Sequence, residues 1–193
     1  MNREHKLFIK VLSDHINRRQ SQVNIVPDWG IISELSQVHQ VGGIIYYQCR
    51  EFLPNEHRLR LEESFNKAIF YGLNRKRVVS VIYNALQDEK ITYSMVKGLT
   101  VADYYPIPAL RTMGDCDFIV APGDMNKTIN VLKRLGFEGY FNTGIHSWGF
   151  DKDGIHYEVH DRFIQGSDYA HPAQEEFFLL GCVEGVNGFY LCG

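Results

Sequence analysis

Two aspartates one residue apart open an apolar run, Asp115-Cys116-Asp117-Phe118-Ile119-Val120, that has the length and composition of a buried β-strand. Aspartate is among the poorest strand formers and is rarely buried without a partner. A strand that begins this way must set its carboxylates against something that offsets their charge. In extended chain, residues i and i+2 point to one face, so Asp115 and Asp117 aim at one side about 7 Å apart along the backbone. Like charges held that close repel unless a cation lies between them. The pattern predicts a divalent-metal site at the mouth of a core strand. On the residues alone the alternative is that one Asp caps a neighbouring helix and the other is solvated, which gives no reason for their shared face.

The rest of the chain bounds what such a site can serve. At 193 residues, 45% hydrophobic and 22% charged, the sequence can build a good core and is neither disordered nor collagen-like. A formal charge of -3 supplies no global basic field for non-specific nucleic-acid binding. Cys49, Cys116, Cys182 and Cys192 have no CxxC spacing and stand in or beside apolar segments. They read as buried thiols in a reducing compartment rather than as a disulfide framework or structural zinc. No signal-peptide pattern and no apolar run near twenty residues is present, so the expectation is a cytoplasmic protein with no membrane partner.

Hydrophobic periodicity divides the chain into a helical region, 1–90, and a mixed α/β core, 91–193, giving an α+β fold whose small mixed sheet is backed by helices. Helices are expected over Glu4 to Arg19, from an Asp28 N-cap with core face Trp29, Ile32, Leu35 and Val38 to a stop at Gly42-Gly43, over Ile44 to Phe52, and over Asn55 to Gln87. Gly72 is the weak point of the last, which reads as one long helix or as two with a bend. The basic run Arg75-Lys76-Arg77, with Arg58, Arg60 and Lys67, could face an anionic acceptor and reads more readily as a solvated helix face. Ile91 to Val96 is the first strand, Leu99 to Tyr105 a short helix, and Pro122 to Leu135 a helix ended by Gly136. Phe137 to Phe141, Ile145 to Asp151 and Ile155 to Phe163 read as strands, the last two joined by an Asp-Gly turn. Ala173 to Leu180 reads as a helical fragment, and the abrupt end at Gly193 as that of a piece of a longer protein.

Alternation in Ile155-His156-Tyr157-Glu158-Val159-His160 puts His156, Glu158 and His160 on one face. Paired beside the Asp115 strand, Glu158 becomes a third carboxylate, and three acids can hold one or two magnesium ions that bridge phosphates. An exposed hairpin with a polar face is the plain alternative. A zinc site built on HxExH is a further one, although no helical HExxH is present. Lys97-Gly98 ends a strand and opens a helix, an arrangement that can cradle phosphate, with Lys97 adding a point charge; more simply it is a turn. Arg111 could bridge a polyphosphate or pair with Asp115. His146 and Trp148 read as packing or rim residues.

Taken together, Lys97-Gly98-Leu99, Tyr104-Tyr105-Pro106, Arg111-Thr112-Met113-Gly114-Asp115-Cys116-Asp117-Phe118-Ile119-Val120, Leu132 to Phe137 and Tyr157-Glu158-Val159-His160 resemble the uncharacterised bacterial nucleotidyltransferases of the DNA polymerase β superfamily. The resemblance spans roughly Thr92 to Phe163. It implies magnesium-dependent transfer of a nucleoside monophosphate from a nucleoside triphosphate such as ATP, with manganese able to replace magnesium. Asp115, Asp117 and Glu158 match the catalytic metal ligands. Lys97, Gly98, Leu99, Arg111 and Gly114 match the nucleotide-binding turn and its approach, and His156 and His160 fall on the acceptor side. Where the superfamily usually has Gly-Ser, this chain has Gly98-Leu99, so a hydroxyl for the terminal phosphate is missing and Lys97, Thr100 or Arg111 must stand in. Family members of this kind also continue past the end of this chain. The acceptor stays open among small molecule, sugar, peptide, protein and RNA, and so do the nucleoside base and the oligomeric state. Two rivals remain: a nucleotide- or partner-binding module of the same fold without turnover, and a glycosyltransferase whose DxD holds a metal on a nucleotide-sugar. The second expects alternating strands and helices before the acidic pair, where this chain has helices.

Overall fold

The computed structural model describes residues 2–144 and 147–161. The chain forms two compact units, one of residues up to Arg75 with Ala102–Thr112, the other of Lys76–Val101 with the described residues from Met113 onward. The expected fragment over Ala173 to Leu180, His146, Cys182 and Cys192 lie outside the described residues.

Helices α1 (Arg3–Ile16), α2 (Trp29–Val38), α3 (Gly42–Cys49) and the first part of α4 (Asn55–Asp88) build the first unit. Side chains supply the missing acceptors at two of their starts: Asn2 accepts from the His5 amide, and Asp28 accepts from those of Gly30 and Ile31. The core gathers Leu7, Phe8 and Val11 of α1, Trp29 and Ile32 of α2, Ile45 and Cys49 of α3, and Leu61 of α4. Each such buried side chain contributes about 1.5–3 kcal/mol. Cys49 is 1% exposed, and burial pushes its thiol up to about 12, as suits an inert core cysteine. The loop after α1 has no regular structure and is tied down by Gln48, whose Oε1 accepts from the Ser21 amide (3.0 Å) and whose Nε2 donates to the Arg19 carbonyl (3.2 Å).

Several expectations are corrected by what surrounds the residues. Val38 is 71% exposed rather than core, and Ser33 and Ser36 take the buried face of α2 with Trp29 and Ile32. α2 does end before Gly42-Gly43, at Val38, but left-handed Gln40 makes the stop; the two glycines open α3, where a Cβ on Gly42 would lie 2.9 Å from that of Ser64 and one on Gly43 3.3 Å from the Phe65 backbone. Leu59 and Leu73 are exposed on α4, and Arg75 is buried within a run that otherwise faces solvent or is half-buried. Among the described residues no helix is long and apolar enough to cross a membrane.

The second unit holds the rest of α4, β1 (Tyr93–Met95), α5 (Gly98–Ala102) as far as Val101, β2 (Asp115–Val120), a 3-10 turn at Pro122–Asp124, α6 (Met125–Arg134), β3 (Glu138–Gly144), β4 (Ser147–Lys152) and β5 (Ile155–His160). Its five strands form one mixed sheet in the order β1-β2-β5-β4-β3, parallel between β2 and β5 and antiparallel elsewhere. α6 ends as its sequence predicts: Gly136 takes φ +75°, its N–H donates to the Lys133 carbonyl, and that of Phe137 donates to Leu132. The β4–β5 turn also matches, since Lys152 pairs with Ile155 around Asp153 (φ +53°) and Gly154 (φ +73°), both left-handed as a type I′ turn demands. One face of β2 and β5 is core, with Cys116, Phe118, Val120, Tyr157 and Val159 all 0% exposed. The opposite face carries Asp115, Asp117, His156, Glu158 and His160, as alternation requires.

α4 runs unbroken through Gly72 because the Ala109 backbone lies against it; an added Cβ would come within 2.6 Å of Ala109 Cα. Helix propensity favours alanine by about 1 kcal/mol, but displacing backbone costs about 1–3 kcal/mol. Gly72→Ala is therefore expected to lower the melting temperature, by a few degrees, in a calorimetric scan. A pH effect follows from Asp14, 5% exposed, whose carboxyl is held below its ordinary 3.8 chiefly by hydrogen bonding to Lys10, against the opposing pull of burial, and further by Ser21 and Arg19. Its contribution is present above 3.8 and is lost as pH falls through the lower folded value. Asp14→Asn should be less stable than the natural chain to urea at pH 7, and the gap should narrow below pH 3.8.

Candidate metal centre

Parallel pairing of β2 with β5 sets Asp117 directly beside Glu158, with Asp115 beside His156 one row earlier and Ile119 beside His160 one row later. The apolar faces of the same strands exclude a one-residue slip, which would turn Tyr157 and Val159 out of the core. On the far side of Glu158 its cross-strand neighbour is Gly149 of β4, which has no side chain to crowd the carboxylate.

Asp117 is 1% exposed. Its Oδ1 accepts from Lys97 Nζ at 2.6 Å and from His160 Nε2 at 3.0 Å, while its buried Oδ2 has no hydrogen-bond partner among the described residues. Burial pushes this carboxyl up, but the hydrogen bonds from His160 and Lys97 and the lysine's charge outweigh it and leave Asp117 below its ordinary value. Asp117 is therefore an ionised carboxylate in the sheet. The Lys97 ammonium is held above its usual range by the bond to Asp117, against the effect of burial, with further support from the charges of Asp117, Asp115 and Glu158.

The turn that delivers Lys97 is well defined. Val96 donates its N–H to the Asp117 carbonyl (3.1 Å), which extends the β1–β2 pairing, and Lys97 then adopts φ +53°, a left-handed value uncommon for a residue with a side chain. Its carbonyl accepts from Val101 at the start of α5, and Thr100 Oγ1 donates to the Met95 carbonyl at 3.2 Å. Gly98 is buried and Leu99 half-buried in this single helical turn.

Around Glu158, His160 Nε2 lies 3.5 Å from Oε2, and His156 Nε2 lies 3.7 Å from Oε1 while His156 Nδ1 lies 2.9 Å from Asp151 Oδ1. One ligand atom from each of Asp117, Glu158 and His160 falls within 4.8 Å of the others. Two hard carboxylates, one of them with an orphaned buried oxygen, fit an oxygen-seeking dication. Half-buried Asp115 stands on the same face and acts on the same ammonium. Gly114 is exposed just before β2, and a Cβ there would meet open space. Arg111 belongs to the other unit, where it follows the 3-10 turn Pro108–Leu110 and borders a cavity of about 170 Å³ with His39, Tyr105 and Thr112.

Two features escaped sequence reasoning. Lys97 meets a carboxylate, where a lysine before a glycine reads only as a phosphate charge. His160 steadies Asp117, where alternation shows only that it shares a face with Glu158. The signal for both was the absence of any other sequence-near partner for a buried Asp, which becomes readable only once β5 is known to lie beside β2.

A family model described as an uncharacterised nucleotidyltransferase matches residues 26–186. No curated protein and no solved structure matches the chain. Since His160 supplies one of the two bonds that the described residues make to a buried charge, His160→Ala should cost about 1.5–3 kcal/mol in chemical denaturation, the range for a hydrogen bond to an ionised group.

Proposed function

The chain belongs to this nucleotidyltransferase family, and from that premise we propose that it moves a nucleoside monophosphate from a nucleoside triphosphate such as ATP to an acceptor hydroxyl. In that reaction the acceptor oxygen bonds to the α-phosphorus as the bond between the α- and β-phosphates breaks. The hydroxyl proton is lost and pyrophosphate leaves. The observation that carries the reading is the Asp117 carboxylate, buried, with one oxygen unpartnered among the described residues, and in register with Glu158 on a parallel neighbour.

Asp115, Asp117 and Glu158 would hold magnesium, or manganese in its place. When bound, the ion supplies positive charge to the phosphates and lowers the cost of charge building up on the leaving group. The protein's own part is positioning, on which in-line transfer at phosphorus mostly depends. Asp117 is fixed by His160 and by its strand, so its orientation costs little at the moment of reaction. Glu158 is 23% exposed at its side chain and can meet an acceptor hydroxyl and take its proton. Lys97, beside the Gly98 turn, would give the terminal phosphate a charged donor in place of the serine hydroxyl that the usual motif has and this chain lacks. His156 and His160 stay candidates for the acceptor side.

Leu99 favours one second reading, a nucleotide-binding module without turnover, because a half-buried leucine gives the terminal phosphate no hydroxyl. Thermal shift with magnesium and each nucleoside triphosphate, followed by an assay for pyrophosphate, separates the two: stabilisation with release supports the enzyme, and stabilisation without release supports the module. Asp117→Asn keeps the shape of the side chain and removes its charge. We expect it to reduce pyrophosphate release at least about 100-fold with the circular dichroism spectrum intact, and undiminished release would overturn the assignment.

A further inference from the structure

The cation that Asp117 meets in this structure is the chain's own. Asp115, Asp117 and Glu158 share one face, and the Lys97 ammonium sits 2.6 Å from Asp117 Oδ1 while feeling the charges of all three. Its side chain is 63% exposed, against 1% for that of Asp117. The backbone of Lys97 is pinned on both sides, by Val96 N–H on the Asp117 carbonyl and by Val101 N–H on the Lys97 carbonyl. The carboxylate is fixed, the lysine backbone is fixed, and the solvated stem of the lysine is what can swing.

We propose that Lys97 is a resident cation that a divalent ion must displace from Asp117, and that its release hands the ammonium to the polyphosphate of the donor. This rests on the metal-binding reading given above. A dication on the Asp117 carboxylate would stand on the order of 4 Å from Nζ if the lysine stayed, with both positive charges on one anion. Exchange removes that repulsion. It also explains how a buried carboxylate is tolerated without metal, since the tethered ammonium offsets its charge. An ammonium set free beside the Gly98 turn keeps its charge next to a site that now holds a cation, a combination suited to the multiple negative charges of a triphosphate. Metal and donor would then bind with positive coupling, the metal freeing a phosphate ligand and the phosphates holding that ligand away from the metal's carboxylate.

The test uses the full chain and Mn²⁺ alone. Free Mn²⁺ is followed by electron paramagnetic resonance during titration of the natural chain, Lys97→Met and Lys97→Arg, and acetylation of Lys97 by a small activated ester is read by mass spectrometry with and without Mn²⁺. We expect Lys97→Met to bind Mn²⁺ about 10-fold more tightly, within the usual range of site coupling, and Lys97→Arg to stay within about 3-fold of the natural chain because it keeps the competing charge. We expect Mn²⁺ to raise acetylation of Lys97 several-fold while leaving Lys10, paired with Asp14, unchanged. Mn²⁺ binding that Lys97→Met leaves equal or weakens, or that leaves Lys97 acetylation unaltered, overturns the exchange and spares the metal site. Binding by neither the natural chain nor Lys97→Met overturns both. Should Lys97→Met fail to fold, acetylation of the natural chain decides alone.

Discussion

A carboxylate with 1% of its surface in water has to be compensated from within the protein, and at Asp117 that requirement organises everything around it. Desolvation alone pushes the carboxyl toward its neutral form. Two donors on one oxygen keep it ionised, and they come from opposite sides: Lys97 from the turn after β1, next to β2 in the sheet, and His160 from the end of β5, on the other side of β2. The centre therefore exists only when three strands are correctly paired. Among the described residues its second oxygen is left without a hydrogen-bond partner, an arrangement whose cost makes sense where a ligand is to complete it.

The same six residues of β2 serve the core and the site. Cys116, Phe118 and Val120 lock one face, and Asp115 and Asp117 stand on the other because the side-chain period of a strand is two. Packing on the apolar side thus sets where the charges point, and a change large enough to shift the register would cost the core before it moved the site. β5 repeats the arrangement with Tyr157 and Val159 inward and Glu158 beside Asp117, so two short strands hold both acids to within the precision of core packing.

Much of this was legible in the residues. The DxD pair, the alternation around Glu158, the Asp-Gly turn and the glycine closing α6 each follow from a local rule, and the structure matches them. Helix ends were harder to read for a specific reason. α1, α2 and α4 finish in the same hydrogen-bonded motif as α6, with left-handed residues Arg18 (φ +58°), Gln40 (φ +55°) and Lys90 (φ +55°) where glycine would announce the stop. With no glycine at Gln40, the next pair, Gly42-Gly43, took the role of a stop, whereas their small size serves close approach to α4. Leu59, Leu73 and Val38 misled for the converse reason: periodicity names apolar positions but not which of them find a neighbour. The pairing of Lys97 and His160 with Asp117 depends on contacts across 20 and 43 residues, beyond any local pattern.

Lys97 belongs with Arg18, Gln40 and Lys90 in its backbone, but not in its circumstances. Those three close helices, where a left-handed residue satisfies the last carbonyls and recovers its cost of about 1–2 kcal/mol through hydrogen bonds. Lys97 instead joins a strand to a single turn of helix, and its left-handed angle lies where the stem begins its reach to Asp117. Glycine would fit that backbone at no steric cost, yet it would leave the buried carboxylate with His160 alone. A lysine in a glycine-like conformation is thus what the electrostatics of Asp117 require at this turn, and the strain is the local cost of keeping a charge ionised inside a sheet.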